Sequence, residues 1–375
     1  LSPSSAASDV YKRQLHMWVK RVLYVVALIV SGALGFVAAK GQVAVLDTLD
    51  VVQRDYDTSL SKVDLSGIRV NSDDNIVNVL LVGNDYRKEN GYAAAGLTDT
   101  MLIATLDMKH GTLKLTTLMR DMLVEIPDHG SNKLNSANSF GGIELLYKTI
   151  AQNFNIQLDG YVEVSFDAFK TIVNDVGGVE IELTESEAAY LNATNYIRPA
   201  KYRNVKAGKH TLNGAQALGY CRIRKYAKGI QPVTPTGQID DYGRTWRQRN
   251  AITSIFNKVK KMPMSKWLDI AKDVLKKNVK TDLTNKQIIN YIKDVVMMGT
   301  TTIHQLQIPV NPYFSGGNVP GVGSCLSIQK EYQADAINQF IFKYNGKNGE
   351  FEYTPSSDVS GYSDSSATVS PSPAQ

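Results

Sequence analysis

The chain has 375 residues, 43% hydrophobic and 21% charged: enough for one large core or two modest ones, and too apolar for a disordered chain. A formal net charge of +5 suits an anionic partner such as a phosphate or a membrane surface, and by itself does not argue for nucleic acid. Cys221 and Cys325 lie far apart and without metal-ligand spacing, so both are expected as small core residues rather than as a disulfide framework.

Asp9-Val10-Tyr11-Lys12-Arg13-Gln14 reads as the translation of a transposon-end sequencing adapter, so residues 1–14 are expected to be an assembly artefact, with Met17 as a start. Val22 to Ala39 carries no charge and is close to the ~18–20 residues that cross a bilayer core. Lys20 and Arg21 precede it, which predicts a single-pass cell-membrane anchor within residues 15–40. The N-terminus is then cytoplasmic and the rest of the chain extracytoplasmic. A cleaved signal peptide ending near Ala39 is the competing reading. Residues 41–74 read as a polar stalk with a helix near Val43 to Tyr56. Ser59-Leu60-Ser61-Lys62 matches S-x-x-K only formally, since no S-D-N or K-T-G accompanies it.

A globular domain is expected over residues 75–350. Ile76 to Val82, Met101 to Leu106 and Leu113 to Leu118 read as strands, the last two joined by a turn at Lys109-His110-Gly111. Ile143, Leu146, Tyr147, Ile150 and Phe154 recur at helical spacing after Gly141-Gly142. A strand at Tyr161 to Val164 precedes a helix face of Phe166, Phe169, Val173 and Val176, which Gly177-Gly178 ends. Val179 to Leu183 alternates as a half-buried strand. Asn213 to Tyr220 reads as a short helix leading into an extended Tyr220 to Arg224, and Arg244 to Lys261 as a long helix. Thr284 caps a helix bearing Ile288, Ile292 and Val295. Ile303 to Ile308 is a last strand, followed by a glycine-rich loop and a helix near Tyr332 to Tyr344. Residues 351–375 read as a disordered tail. Interleaved strands and helices predict an α-β-α sandwich around a central mixed sheet.

H-E-x-x-H, G-x-S-x-G, a Walker loop and Cys/His metal clusters are all absent from the sequence. Arginines in unusual places carry the chemistry instead. An extended Tyr220 to Arg224 puts Arg222 and Arg224 on one face, where two guanidinium forks suit phosphate oxygens; surface arginines paired with nearby acids are the alternative. Arg244, Arg247 and Gln248 share a helix face near an N-terminus, a costly place for cations unless an anion binds there, with Asp240 and Asp241 as local counter-charges. Arg120-Asp121 ends an apolar strand. Asp85 and Asp99 flank neighbouring strands, either as turn formers or as hard oxygen ligands for Mg²⁺ or Mn²⁺.

These segments, in this order, resemble the LytR-CpsA-Psr family of cell-wall glycopolymer ligases, also described as the cell envelope-related transcriptional attenuator domain. The resemblance covers residues 75–260. It rests on Asn78 to Asp85, Thr98-Asp99-Thr100-Met101, Arg120-Asp121, Lys133-Leu134-Asn135-Ser136-Ala137, Leu212 to Leu218 with Arg222 and Arg224, and Asp241 to Thr245 with Gln248. It implies a transferase that moves a glycosyl phosphate from a polyprenyl-pyrophosphate-linked polymer, of teichoic acid or capsule type, to peptidoglycan. It further implies that Arg120, Arg222, Arg224, Arg244 and Gln248 hold the pyrophosphate, that Asp85 and Asp99 sit at Mg²⁺, and that Asp99 or Asp121 takes the acceptor proton. The prenyl chain would lie in an apolar cleft against the sheet. Met119 stands where the family usually has Pro, Leu97 where it often has Arg, and the basic, proline-containing Lys225 to Ile239 is longer than expected. A non-catalytic, membrane-anchored glycopolymer scaffold and a polyprenyl-pyrophosphate pyrophosphatase are the rival readings.

Overall fold

The computed structural model describes residues 53–54, 59–84, 88–89, 92–93, 98–262, 266, 270, 279–300, 302–347 and 349–360. The expected adapter segment, the membrane span and most of the stalk lie outside these residues. The strands are β1 (Gln53–Arg54), β2 (Ile76–Asn84), β3 (Lys88–Glu89), β4 (Tyr92–Ala93), β5 (Thr98–Asp107), β6 (Thr112–Leu118), β7 (Met122–Ile126) and β8 (Gly130–Lys133). They continue as β9 (Gly160–Ser165), β10 (Val179–Leu183), β11 (Gly208–Leu212), β12 (Val279–Thr281), β13 (Ile303–Ile308), β14 (Phe314–Val319) and β15 (Gly323–Ile328). The helices are α1 (Leu134–Phe154), α2 (Phe166–Asp175), α3 (Glu185–Ala193), α4 (Gly214–Arg222), α5 (Asp240–Val259), α6 (Asn285–Met298), α7 (Lys330–Asn338) and α8 (Ser357–Ser360).

Val, Ile and Leu fill most of β2, which suits a strand covered on both faces. It occupies the centre of a seven-stranded mixed sheet of order β1-β12-β9-β2-β5-β6-β13. β2 pairs antiparallel with β5 and parallel with β9; β6 pairs antiparallel with β5 and parallel with β13. Alternate residues serve opposite faces, as the pleat requires. Leu80, Val82, Met101 and Ile103 join a core with Leu146, Ile150 and Phe154 of α1 and Ile337 of α7. Leu81 and Leu102 line a cleft beneath α2, α4 and α5 on the other face. The expected sandwich with helices on both faces is therefore present.

Five local expectations need correction. Tyr220 to Arg222 is the last turn of α4 rather than a strand, and α5 starts at Asp240, a turn before Arg244. The glycine-rich stretch after β13 forms the hairpin β14–β15, because Leu326 pairs with Met122 and extends a second sheet, β14-β15-β7-β8. The end of the expected stalk is part of the domain: Leu60 is buried, its amide donates to Asp282 Oδ2 at 2.9 Å, and Val63, Leu65, Ile68 and Val70 pack on the core. The expected tail likewise begins inside the fold. Phe351 and Tyr353 pack on the core, and Asp335 accepts from Tyr353 Oη and the Ser356 amide at 2.9 Å each. Residues 361–375 lie outside the description.

Candidate functional site

Helix α5 carries a stripe that changes character along its length. Arg244, Gln248, Ile252 and Ile255 recur at intervals of four, four and three, and all line the same cavity. At 1.5 Å rise per residue this stripe runs about 16 Å from a polar to an apolar end. Helix α4 runs the same gradient the other way, from Leu218 to Cys221 and Arg222. Phe166, Phe169 and Ile172 of α2 and Leu81, Leu102 and Val164 of the sheet complete the apolar length. The cavity holds about 400 Å³ and is cationic at one end. Arg120, Arg222, Arg224, Arg244 and Gln248, the five residues expected at a pyrophosphate, all line it.

Two carboxylates hold most of these cations together. Asp241 Oδ1 forms ion pairs with Arg224 Nε at 2.7 Å and Arg244 Nη2 at 2.9 Å, and its Oδ2 accepts a hydrogen bond from Arg244 Nη2 at 3.0 Å. Asp121 lies 3.4 Å from Arg224 Nη2 and 3.5 Å from both Arg120 Nε and Lys133 Nζ. Asp241 is thus the counter-charge its place beside Arg244 suggested, and together with Asp240 it offsets the dipole cost expected for cations at that helix start. Four cations, Arg120, Lys133, Arg224 and Arg244, against two carboxylates leave a positive excess suited to an anion.

Arg222 is held differently. Its guanidinium lies 5.2 Å from the Phe166 ring centroid and 5.6 Å from that of Tyr196, and it pairs with no carboxylate among the described residues. Two aromatic faces fix such a cation while leaving its donors for a ligand. Although Arg222 ends a helix, it still shares a site with Arg224. Ile223 caps α4 in an extended conformation (φ −54°, ψ 127°) and is itself buried, so its two neighbours fall on the pocket side.

Arg247 does not join the face predicted for it. It is 0% exposed, and its Nε donates to the equally buried Glu187 Oε1 at 2.7 Å. Its Nη1 and Nη2 donate to Ile223 O at 3.4 Å and Pro232 O at 3.3 Å, one carbonyl on each side of the segment that follows Arg224. No sequence signal marks this clamp, since Glu187 reads only as the N3 residue of the capping box begun by Thr184. Arg249 is also buried, donating to Thr117 Oγ1, Gln305 Oε1 and Gln307 Oε1 at 3.0–3.1 Å. Burial lowers its pKa only to about 10, so it remains a cation at neutral pH. Cys221 is a free buried thiol that burial pushes up to about 12, which excludes it as a thiolate nucleophile; Cys325 is free and buried as well.

Asp85 lies outside the described residues, and of Asp99 only the backbone is described. The ladder is informative there. Gly83 pairs with Thr100 but Asn84 with Thr98, leaving Asp99 as the extra residue of a β-bulge, a device that re-aims side chains beside active sites. No group of three or more His, Cys, Asp or Glu among the described residues is arranged to hold a metal ion.

The chain is similar to the polyisoprenyl-teichoic acid–peptidoglycan teichoic acid transferase TagT of Bacillus subtilis (strain 168), at 29% identity over 79% of this chain and 87% of that protein. The solved structure of TagT bound to LI-WTA matches with a TM-score of 0.56 and 23% identity, over 73% of this chain and 93% of that one. That of YwtF (TagT) with bound octaprenyl pyrophosphate lipid gives 0.52 and 22%, over 73% and 92%. These structures share the fold. The LytR_cpsA_psr family model matches residues 41–339, most of the sequence, and the chain belongs to that family.

Proposed function

We propose that the protein transfers a glycosyl phosphate from a polyprenyl-pyrophosphate-linked glycopolymer to a hydroxyl of peptidoglycan. The observation that carries this reading is the cleft itself, an apolar channel that ends in Arg222, Arg224, Arg244 and Arg120. An amphiphile with a long hydrocarbon and a doubly charged head fits both halves at once. The names of TagT and of its lipid-bound structure agree with that choice.

In the reaction the acceptor oxygen attacks the sugar-side phosphorus, the bond from that phosphorus to the bridging oxygen breaks, and polyprenyl phosphate leaves. The residues mainly position the groups and neutralise charge. Arg222, with its donors free, meets the phosphoryl oxygens; Arg224 and Arg244, already oriented by Asp241, neutralise charge on the leaving phosphate with Arg120 and Gln248. Three cations engage Asp121, which suits it to holding them rather than to taking a proton. Asp99, the extra residue of the bulge between β2 and β5, is the better candidate base. Asp85, which follows β2 in sequence, and Asp99 are hard oxygen donors that would hold Mg²⁺ or Mn²⁺, and the ion would supply further charge neutralisation. The apolar span at Val22 to Ala39 would anchor the protein in the membrane that contains the lipid donor, with the domain outside.

The test supplies labelled lipid-linked glycan, Mg²⁺ and peptidoglycan oligosaccharides to the wild type and to Arg222→Ala. Label should appear on peptidoglycan, and the variant should lose at least about tenfold in rate. Label released to water would indicate a pyrophosphatase, and tight binding without turnover would indicate a scaffold.

A further inference from the structure

The segment after Arg224 contains a built surface that the pyrophosphate site does not use. Ala227 and Ile230 exchange backbone hydrogen bonds at 3.0 and 3.1 Å, closing a two-residue turn over Lys228 (φ 54°) and Gly229 (φ 79°). A left-handed lysine carries a conformational cost that only a closed turn sustains. The ends of the segment are tied to the protein interior. Besides the Arg247 clamp on Ile223 O and Pro232 O, the Val233 amide donates to Ser186 Oγ at 3.0 Å and Thr184 Oγ1 to Val233 O at 2.8 Å.

All this anchoring presents a side chain with no evident work inside the fold. Tyr226 is 62% exposed and makes no hydrogen bond or ring contact among the described residues. Lys225 and Lys228, beside it, are exposed as well. A tyrosine between two cations, on a backbone tied at both ends, offers an apolar face for a sugar ring and charge for phosphates. It begins one residue beyond Arg224, and Tyr226 is at most about 7 Å of chain from that pocket residue.

We propose that Lys225, Tyr226 and Lys228 form a docking surface for the phosphate-bearing polymer of the donor, where it leaves the pyrophosphate pocket. The position of the donor rests on the function proposed above. The surface reads the anionic character of the chain, whereas the arginine pocket reads the pyrophosphate common to all such lipids.

The full chain is assayed with two donors, a polyprenyl pyrophosphate bearing one disaccharide and the same lipid extended with a poly(glucosyl phosphate) chain. Tyr226→Ala and the pair Lys225→Ala/Lys228→Ala should each raise KM for the extended donor about five- to tenfold more than for the short one. The effect of the lysine pair should fade in 1 M salt. Equal effects on the two donors, or none on either, would overturn the proposal. Binding of free poly(glucosyl phosphate) oligomers, followed by NMR against an uncharged glucan of equal length, provides a second arm. Oligomer binding that depends on Tyr226 in a protein without transferase activity would remove the proposed reaction and keep the surface. Transfer of the short donor with oligomer binding indifferent to all three residues, or equal binding of the glucan, would remove the surface and keep the reaction.

Discussion

Replacing Arg247 with Met tests how the site is held. The substitution keeps much of the apolar stem but leaves the Glu187 carboxylate, 0% exposed, without its cation, and frees the carbonyls of Ile223 and Pro232. Removing one partner of a buried ion pair costs about 3–5 kcal/mol, a large share of the ~5–15 kcal/mol that holds a domain. Changing Glu187 to Gln in the same protein removes the stranded charge and keeps the acceptor for the Thr184 amide, which Glu187 Oε2 now engages at 3.0 Å. The double variant should therefore recover to within about 1–2 kcal/mol of the wild type. Urea unfolding of both variants measures this as shifts in midpoint at constant slope. Donor binding should stay weakened even in the rescued protein, because the anchor beside Arg224 is gone. A loss below about 1 kcal/mol in Arg247→Met, or a double variant no more stable than the single, would refute the clamp.

Other perturbations act on separate parts of the structure. Phe166→Leu removes one of the two rings against Arg222, and at about 0.5–2 kcal/mol for such a contact the donor KM should rise roughly 3- to 30-fold, with Arg222→Lys behaving similarly. Leu102→Trp puts bulk into the apolar wall and should weaken long-chain donors more than short-chain analogues in a competition assay. Gly214→Ala would drive its Cβ into the Lys170 carbonyl oxygen, so α4 must shift from α2 at a cost of about 1–3 kcal/mol, read as a lowered Tm. Burial pushes Asp335 up, but its hydrogen bonds from Ser356, Tyr353 and Gln339 outweigh that and hold it below the usual carboxylate range. A depressed acid stabilises above its unfolded pKa of about 4 and loses that contribution as pH falls through its folded value. Asp335→Ala should lower Tm at pH 6 and flatten its decline below pH 4, as scanning calorimetry across that range would report.

The sandwich was legible because its strands are long and apolar or cleanly alternating, as in Ile76 to Val82 and Val179 to Leu183. The five residues expected at a pyrophosphate line one cleft, two of them for a reason other than a shared strand face. Arg222 and Arg224 share a side because a buried, extended Ile223 follows a helix end, not because they occupy a strand. Glycines at 316 and 317 hid β14, which exists because β15 pairs beside β7; tertiary pairing overrode local propensity. The Glu187–Arg247 clamp and the ring pair on Arg222 join segments tens of residues apart, and no periodicity reports contacts of that range. Helical spacing alone put Arg247 with Arg244 and Gln248. The Glu187 carboxylate draws it instead into the interior, where both side chains are fully buried.

The most direct measurement is equilibrium binding of undecaprenyl pyrophosphate, undecaprenyl phosphate and undecaprenol to the wild type, Arg222→Ala and Leu102→Trp. If head and tail occupy one cleft, the wild type should prefer the pyrophosphate to the bare alcohol by at least about 100-fold, roughly two charge-assisted contacts. Arg222→Ala should shrink that preference, and Leu102→Trp should weaken all three ligands together. Similar affinity for the three lipids, or a pyrophosphate preference untouched by Arg222→Ala, would contradict a pyrophosphate site at the arginine end of the cleft.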